Sequence, residues 1–250
     1  MDSWLGLEGT RALVVGAGGF GAACATGLAE QGASVYLADR DTERVEALIA
    51  NIAPASVQGG AWDVGVTENC HALVEEARSR LGGLDVLVHA VGINDRRPVL
   101  ETERASWDQI LAINLSSAFD LGQAAGRHLC DQGSGRIVFF SSVSGSLAHP
   151  AHAAYAASKG GMNQLLKVMA IEWADRGVTV NGVAPGYTDS ALTAEHLAKP
   201  GVREGLVGKV PAGRLGTLDD VVGPVLFLCS PRSSFMTGQV LYVDGGRTLD

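Results

Sequence analysis

Short apolar runs alternate with longer segments of helical periodicity along the whole chain, a pattern that predicts parallel strands joined by crossover helices. Thr10–Val15 reads as a first strand, followed at once by glycines and an alanine-rich helical run to Gln31. Ser34–Asp39, Val57–Trp62 and Leu84–Ala90 read as the next strands, with helices Thr42–Asn51 and Thr67–Leu81 between them. Asp108–Arg127 then reads as one long helix, Ile137–Ser142 as a fifth strand, and a helix carrying Tyr155 runs to about Arg176. Val178–Ala184, helix Leu218–Cys229 and strand Gly238–Val243 complete the series. A run as apolar as Leu84–Ala90 belongs to a parallel sheet covered on both faces. The fold class expected is α/β, a single Rossmann-type doubly wound parallel sheet of about seven strands with helices on both faces. Residues 1–250 are expected to form one domain. Over residues 188–212 the periodicity weakens, most clearly from Ala191 to Pro211, and a helical lid over the substrate is expected there.

Composition narrows the classes. The formal net charge is −8, and the longest basic run is Arg96–Arg97, so nucleic acid and anionic membranes are poor partners and a small molecule fits better. No apolar stretch approaches the roughly 20 residues that span a bilayer, and MDSWLGLEG lacks the basic start and apolar core of a signal peptide. A cytoplasmic protein is expected. Cys24, Cys70, Cys130 and Cys229 lie far apart with no CxxC, and the histidines form no HExxH, so neither a disulfide nor a metal is expected.

The candidate chemistry lies at the predicted strand ends. Gly16, Gly18 and Gly21 fit GxGxxG within the run from Gly16 through Gly19 and Phe20 to Gly21. A strand precedes the run and a helix follows it, the context in which amide donors and a positive dipole end receive a pyrophosphate. Asp39 ends the second strand 23 residues after Gly16, where a carboxylate accepts from both ribose hydroxyls and repels a 2′-phosphate. NAD is therefore expected over NADP, with Arg40 either solvated or paired to a phosphate. Asp63 and Val64 follow the third strand, where the carboxylate meets an adenine amino group or serves a helix start. Ala90 and Gly92 end the fourth strand along the same cofactor path, whereas His89 inside that strand reads as a hydrogen-bonded core residue. Pro185 and Gly186 end the sixth strand, with Thr188 and Ser190 placed for the nicotinamide amide and the diphosphate.

Tyr155 and Lys159, at i and i+4, share one helix face. An ammonium beside a phenol favours the phenolate, so Tyr155 is expected to have a lowered pKa and to serve as general acid or base. Ser142, thirteen residues upstream, closes FFSS and is placed to hold a substrate oxygen. Asn114 stands among Ile110, Ile113, Leu115, Ala118 and Phe119, where an unpaired amide is costly. It bonds backbone structurally or, through its amide or main chain, holds a water near Lys159. Ser144, His149, His152 and Tyr187 flank the pocket as substrate contacts, and Arg96 or Arg97 meets a carboxylate or stands solvated. A lone YxxxK or glycine loop occurs on many surface helices and turns by chance; several motifs in one order do not.

With those motifs in hand, the chain resembles the classical short-chain dehydrogenases/reductases from end to end. The match runs through the glycine loop, Asp63-Val64, Asn114 in INLSSAF, Ser142, the Tyr155 and Lys159 pair, VNGVAPG, GRLGTLDDV and TGQVLYVDGG. The resemblance implies a homotetramer with Asn114, Ser142, Tyr155 and Lys159 as the catalytic set. Two departures stand out: Val15 replaces the usual threonine in a loop one residue shorter than TGxxxGxG, and NNAG becomes His89-Ala90-Val91-Gly92. GINDRRPVLE and IEWADRGVTVNGVAPGYTDS look like members acting on sugar acids and polyols, such as gluconate and deoxygluconate dehydrogenases. The expected activity is NAD(H)-dependent interconversion of a secondary alcohol and a ketone, on a sugar acid or polyol. The alternatives are a 3-oxoacyl thioester reductase of lipid synthesis and a non-catalytic NAD-binding sensor or scaffold.

Overall fold

Seven strands run parallel in one sheet of order β3-β2-β1-β4-β5-β6-β7. They are β1 (Arg11–Val15), β2 (Ser34–Asp39), β3 (Val57–Ala61), β4 (Val86–His89), β5 (Gly135–Phe140), β6 (Val178–Pro185) and β7 (Val240–Val243). The computed structural model describes residues 4–52, 56–190 and 193–249. β1 pairs with β2 on one side and β4 on the other, so that Val15 lies opposite both Ala38 and His89. The strand order reverses there, and a crevice opens beyond the carboxyl ends of the two strands, the place where open α/β sheets take ligands.

Alternation along each strand supplies both faces of the core. Leu13, Val15, Leu87 and Phe139 pack towards helices α3 (Thr67–Leu81), α5 (Ser117–Gln132) and α6 (Ala153–Trp173). Ala12, Val14, Val88 and Val138 pack towards α1 (Gly19–Glu30), α2 (Thr42–Asn51) and α9 (Leu218–Cys229). In GRLGTLDDV the start of α9 is set by a capping box, with Thr217 and Asp220 satisfying each other's backbone amides. Arg214 locks that cap with two bonds to the Asp220 carboxylate, at 2.7 and 2.8 Å.

Two expectations are corrected. The single helix over Asp108–Arg127 is instead α4 (Arg104–Leu111), a wide π-type turn over Ala112–Ser116, and α5. Apolar periodicity continued through the wide turn and concealed it. β5 stops at Phe140, so Ser142 does not close a strand; its hydroxyl caps a short 3₁₀ turn, Val143–Gly145, accepting from the Ser144 amide at 3.1 Å. Residues 193–212 carry two short helices, Ala194–Leu197 and Val202–Val207. The start of the expected lid at Ala191 and Leu192 lies outside the described residues.

Leu87 is fully buried in the central strand β4. Leu87→Ala should therefore cost about 2–5 kcal/mol of stability, from lost transfer energy plus the cavity left behind. Thermal unfolding should show this as a fall in Tm of roughly 4–20 °C, given about 2–4 °C per kcal/mol in a chain of this size.

Candidate active site

Glycine is required at two points of the loop after β1. Gly16 has φ +103°, and a Cβ there would stand 2.9 Å from the Ala90 carbonyl and the Val91 amide. At Gly21 a Cβ would stand 1.7 Å from the Gly16 carbonyl oxygen. The loop, although one residue shorter than the family's usual form, thus still folds tightly onto the loop after β4. α1 begins from Gly18 with no side-chain cap and no acid in its first turn, which leaves its first amides and positive dipole end for an anion. A Cβ at Gly18 would meet nothing within 4 Å, so that side of the turn is open. A groove of about 490 Å³ runs from here past Asp39 and Asp63. Uncapped amides, open backbone and a carboxylate at the far wall fit a dinucleotide.

Asp39 is doubly held. Its Oδ2 accepts from the Ala17 amide at 2.7 Å and its Oδ1 from the Asp41 amide at 3.0 Å. Arg40 is exposed on the groove rim, whereas Arg44, which the sequence did not single out, approaches the Asp39 carboxylate to 3.9 Å. Arg44 sits one helical turn into α2, so its nearness depends on how that helix leaves β2. Asp63 braces the next turn: its Oδ1 accepts from Gly65 and its carbonyl from the Asn69 side chain, both at 2.9 Å. Val64 is buried beside it.

A small pocket of about 110 Å³ joins this groove to a second cavity, and Ser142, Tyr155 and Lys159 line it together with Gly186, Thr188 and Ser190. Ala90, Gly92, Phe20 and Pro185 also line it. Lys159 is buried, donates to the Phe140 carbonyl at 2.6 Å and lies 5.7 Å from the centre of the Tyr155 ring. Burial pushes its pKa down to about 8. The lowered Tyr155 pKa expected from the pairing is not what these surroundings produce: burial pushes the phenol up, and the Ser142 hydroxyl and Arg96 pull it back only in part. The reason is geometric, since the Lys159 ammonium is turned onto a main-chain carbonyl. Thr188 spends its hydroxyl on the Gly186 carbonyl, and Ser190 bonds Thr193.

Asn114 is fully buried in the wide turn. Its Oδ1 accepts from the Ile93 amide at 2.8 Å, while its Nδ2 donates to the Ile93 carbonyl at 2.9 Å and to Ser158 Oγ at 3.1 Å. Ser158, one turn after Tyr155 and not singled out by sequence, donates to the Tyr155 carbonyl at 2.7 Å. Both amide hydrogens of Asn114 are thereby used, so its side chain fixes the loop after β4. A Cβ at Gly92 would stand 3.5 Å from both Asn114 Oδ1 and Lys159 Nζ, so that position lies in contact range of both. His89 is the core residue expected, fully buried, bonded through Nε2 to Ser117 Oγ at 2.8 Å, and pushed by burial to a pKa of about 3. All four cysteines are buried free thiols, and burial pushes those of Cys24 and Cys70 up to about 12.

The second cavity, of about 730 Å³, has Ser142 and Tyr155 at its inner end. His149 accepts or donates at both ring nitrogens, to Ser144 Oγ at 3.2 Å and to the Tyr187 hydroxyl at 3.1 Å. Arg96 donates to His152 Nε2 at 3.3 Å, and His152 in turn donates from Nδ1 to the Pro150 carbonyl at 2.8 Å. Arg97 turns away to Asp95 and Glu103, so of the two arginines Arg96 is the one at the cavity. Asn94, His196, Lys199 and Lys209 also line it. Sequence reading missed these four because three of them lie in the segment of weak periodicity and Asn94 carries no motif of its own.

Comparison with known proteins agrees with this architecture. The family model described as enoyl-(acyl carrier protein) reductase, one of the short-chain dehydrogenase models, matches residues 15–248. Gluconate 5-dehydrogenase of Gluconobacter oxydans is 37% identical over 97% of this chain and 96% of its own length. Galactitol 2-dehydrogenase (L-tagatose-forming) of Cereibacter sphaeroides is 36% identical, again over 97% of this chain and 96% of its own. A crystal structure of a gluconate 5-dehydrogenase from Burkholderia cenocepacia, in complex with NADP and tartrate, superposes with a TM-score of 0.93 at 36% identity, covering 97% of this chain and 96% of that one. No described helix is long and apolar enough to cross a membrane. The chain belongs to the short-chain dehydrogenase/reductase family of nicotinamide-dependent oxidoreductases, among relatives that include sugar-acid and polyol dehydrogenases.

Proposed function

We propose that the protein interconverts a secondary alcohol and a ketone of a sugar acid or polyol, with NAD(H) as the hydride carrier. The observation that carries this reading is the meeting of Ser142, Tyr155 and Lys159 at the junction of a dinucleotide groove and a polar cavity. The nicotinamide, when bound, accepts or returns the hydride. In the oxidative direction the Tyr155 phenolate takes the hydroxyl proton of the substrate at its phenolic oxygen, while the Ser142 hydroxyl donates to the same substrate oxygen. Because burial holds the phenol protonated in the free enzyme, ionisation depends on positive charge gathered around it. Arg96 already contributes, and Lys159 contributes once it is drawn off the Phe140 carbonyl. Asn114 holds the Ile93 backbone and leaves only its main chain for a relay water.

The cavity supports the substrate class. Arg96 reaches it with no carboxylate partner among the described ion pairs, while Lys199 and Lys209 line the opposite segment. A carboxylate fits that charge, and His149, His152 and Tyr187 offer polar contacts to hydroxyls. The sugar-acid and polyol activities named for the relatives above support the same reading. We read residues 193–212 as a lid, since Glu195, His196 and Leu206 line the cavity from it. We read the assembly as a homotetramer, supported by Ile171 (80% exposed) and Val168 on α6 and Phe119 on α5, large apolar side chains left at the surface of a lone chain.

Turnover of NAD+ with a panel of sugar acids, polyols and apolar secondary alcohols should favour the first two classes, and Tyr155→Phe should cut kcat by about 10²–10⁴ while leaving NADH binding, read by fluorescence, intact. Near-normal turnover by that variant would remove Tyr155 from the chemistry.

For the cofactor, kcat/KM should favour NAD+ over NADP+ by about tenfold or more, because Asp39 presents a carboxylate where a 2′-phosphate would lie, and Asp39→Asn should shrink the ratio. Equal use of NADP+ would instead assign Arg40 and Arg44 as phosphate ligands. Sedimentation equilibrium should give four times the 25.9 kDa chain mass; a monomer mass would leave the exposed faces of α5 and α6 unexplained.

A further inference from the structure

On a chain whose formal net charge is −8, most cations are spent on acids. Nine arginines among the described residues each pair with an aspartate or glutamate. The cations lining the substrate cavity do not. Arg96 bonds only the His152 ring, at 3.3 Å. Lys199 and Lys209, two of the chain's four lysines, line the same cavity with no side-chain hydrogen bond or ion pair among the described residues. Of the acids on that wall, Asp95 is taken by Arg97 and Ser106, which leaves Glu195. Three cations against one uncommitted carboxylate leave a surplus of two positive charges. The histidines between them feel it. His149 and His196 are both pushed below the ordinary imidazole range, first by burial and then by cationic neighbours, Lys209 among them for His149, and Arg96 and Lys199 for His196.

We infer that the substrate is a sugar acid with two anionic groups, a carboxylate received by Arg96 and a second carboxylate or phosphate ester received by Lys199 and Lys209. This deepens the reading of the site as a sugar-acid dehydrogenase and rests on it. A single carboxylate is matched by the guanidinium fork of Arg96 and leaves the two ammonium groups uncompensated. A lysine is a point charge on a flexible stem, so the same pair serves a carboxylate or a phosphate. A concave wall of one sign also concentrates ligands of the other sign in proportion to their charge, which favours a dianion over a monoanion. The reaction itself is unchanged: the carbinol carbon gives its hydride to NAD+, the hydroxyl proton passes to Tyr155, and the ketone and NADH result with both anionic groups intact.

The test compares glucitol, which carries no charge, gluconate, which carries one carboxylate, glucarate, which carries two, and 6-phosphogluconate, which carries a carboxylate and a phosphate ester. Wild-type enzyme is set beside two double variants, Lys199→Ala with Lys209→Ala and Lys199→Arg with Lys209→Arg. Two readouts are taken, kcat/KM with NAD+ and, independently of turnover, Kd for the enzyme–NADH complex by calorimetry at low and at physiological ionic strength. In the wild type at least one dianion should surpass gluconate by about fivefold or more in both readouts, the upper range for one partly exposed ion pair, and the better dianion names the second group. Salt should weaken its binding more than that of gluconate. The alanine pair should bring the ratio of dianion to gluconate to within about twofold of unity, and the arginine pair should keep it. Dianions no better than gluconate, or a ratio untouched by the alanine pair, overturn the inference and leave the proposed reaction standing. Lysine-dependent binding of a dianion without turnover of any of the four compounds overturns the proposed reaction and leaves the two-anion site standing. If none of the four binds or reacts, both fall.

Discussion

Two loops leave adjacent parallel strands at the same level, and between them there is room only for main chain. Val15 lies opposite His89 in the β1–β4 register, so the glycine loop and the turn through Ala90 and Val91 emerge side by side. A Cβ at Gly16 would fall 2.9 Å from that neighbouring turn. This contact sets the start of α1 and hence the direction of its uncapped amides. It also sets the level at which Gly92, and the loop leading on to Arg96, enter the cavity. Cofactor groove and substrate cavity are thereby built from the two sides of one backbone contact.

Around that contact the structure buries polar groups and then commits them. Lys159 is desolvated against a carbonyl, and Asn114 uses both amide hydrogens. Buried polar groups satisfied in this way specify a single arrangement, whereas a partly satisfied network would be costly. Tyr155 is left less committed. Burial keeps its phenol protonated, and it is not held by the ammonium beside it in sequence.

Much of this was legible in the chain. Thr42–Asn51 and Leu218–Cys229 were readable to the residue because caps and periodicity agree there, and Ser34–Asp39 and Thr67–Leu81 from periodicity alone. The junction of Ser142, Tyr155 and Lys159 could be expected from i,i+4 geometry and strand-end logic. What could not be read was direction. Spacing brings Lys159 near Tyr155 but does not say that a main-chain carbonyl will take the ammonium first. Nor could Asn94, His196, Lys199 or Lys209 be found, because a cavity wall assembled from loops has no period, and each of these residues is ordinary in isolation. Asp39 was found by its distance from Gly16, but its bond to the Ala17 amide depends on how the loop folds back.

The wide turn at Ala112–Ser116 bears on how this chain can change length. Each α-helical residue advances the face by about 100°, and a π-type turn accommodates one extra residue without passing that rotation on. Deleting a single residue there would restore an unbroken helix from Arg104 to Gln132, yet it would turn the stripe of Leu121, Ala125 and Leu129, now buried against the sheet, by roughly a quarter of a circle. The bulge is therefore a phase correction. Since the helical stripe and the inward-turned asparagine both depend on it, a change of length nearby would displace core and site together.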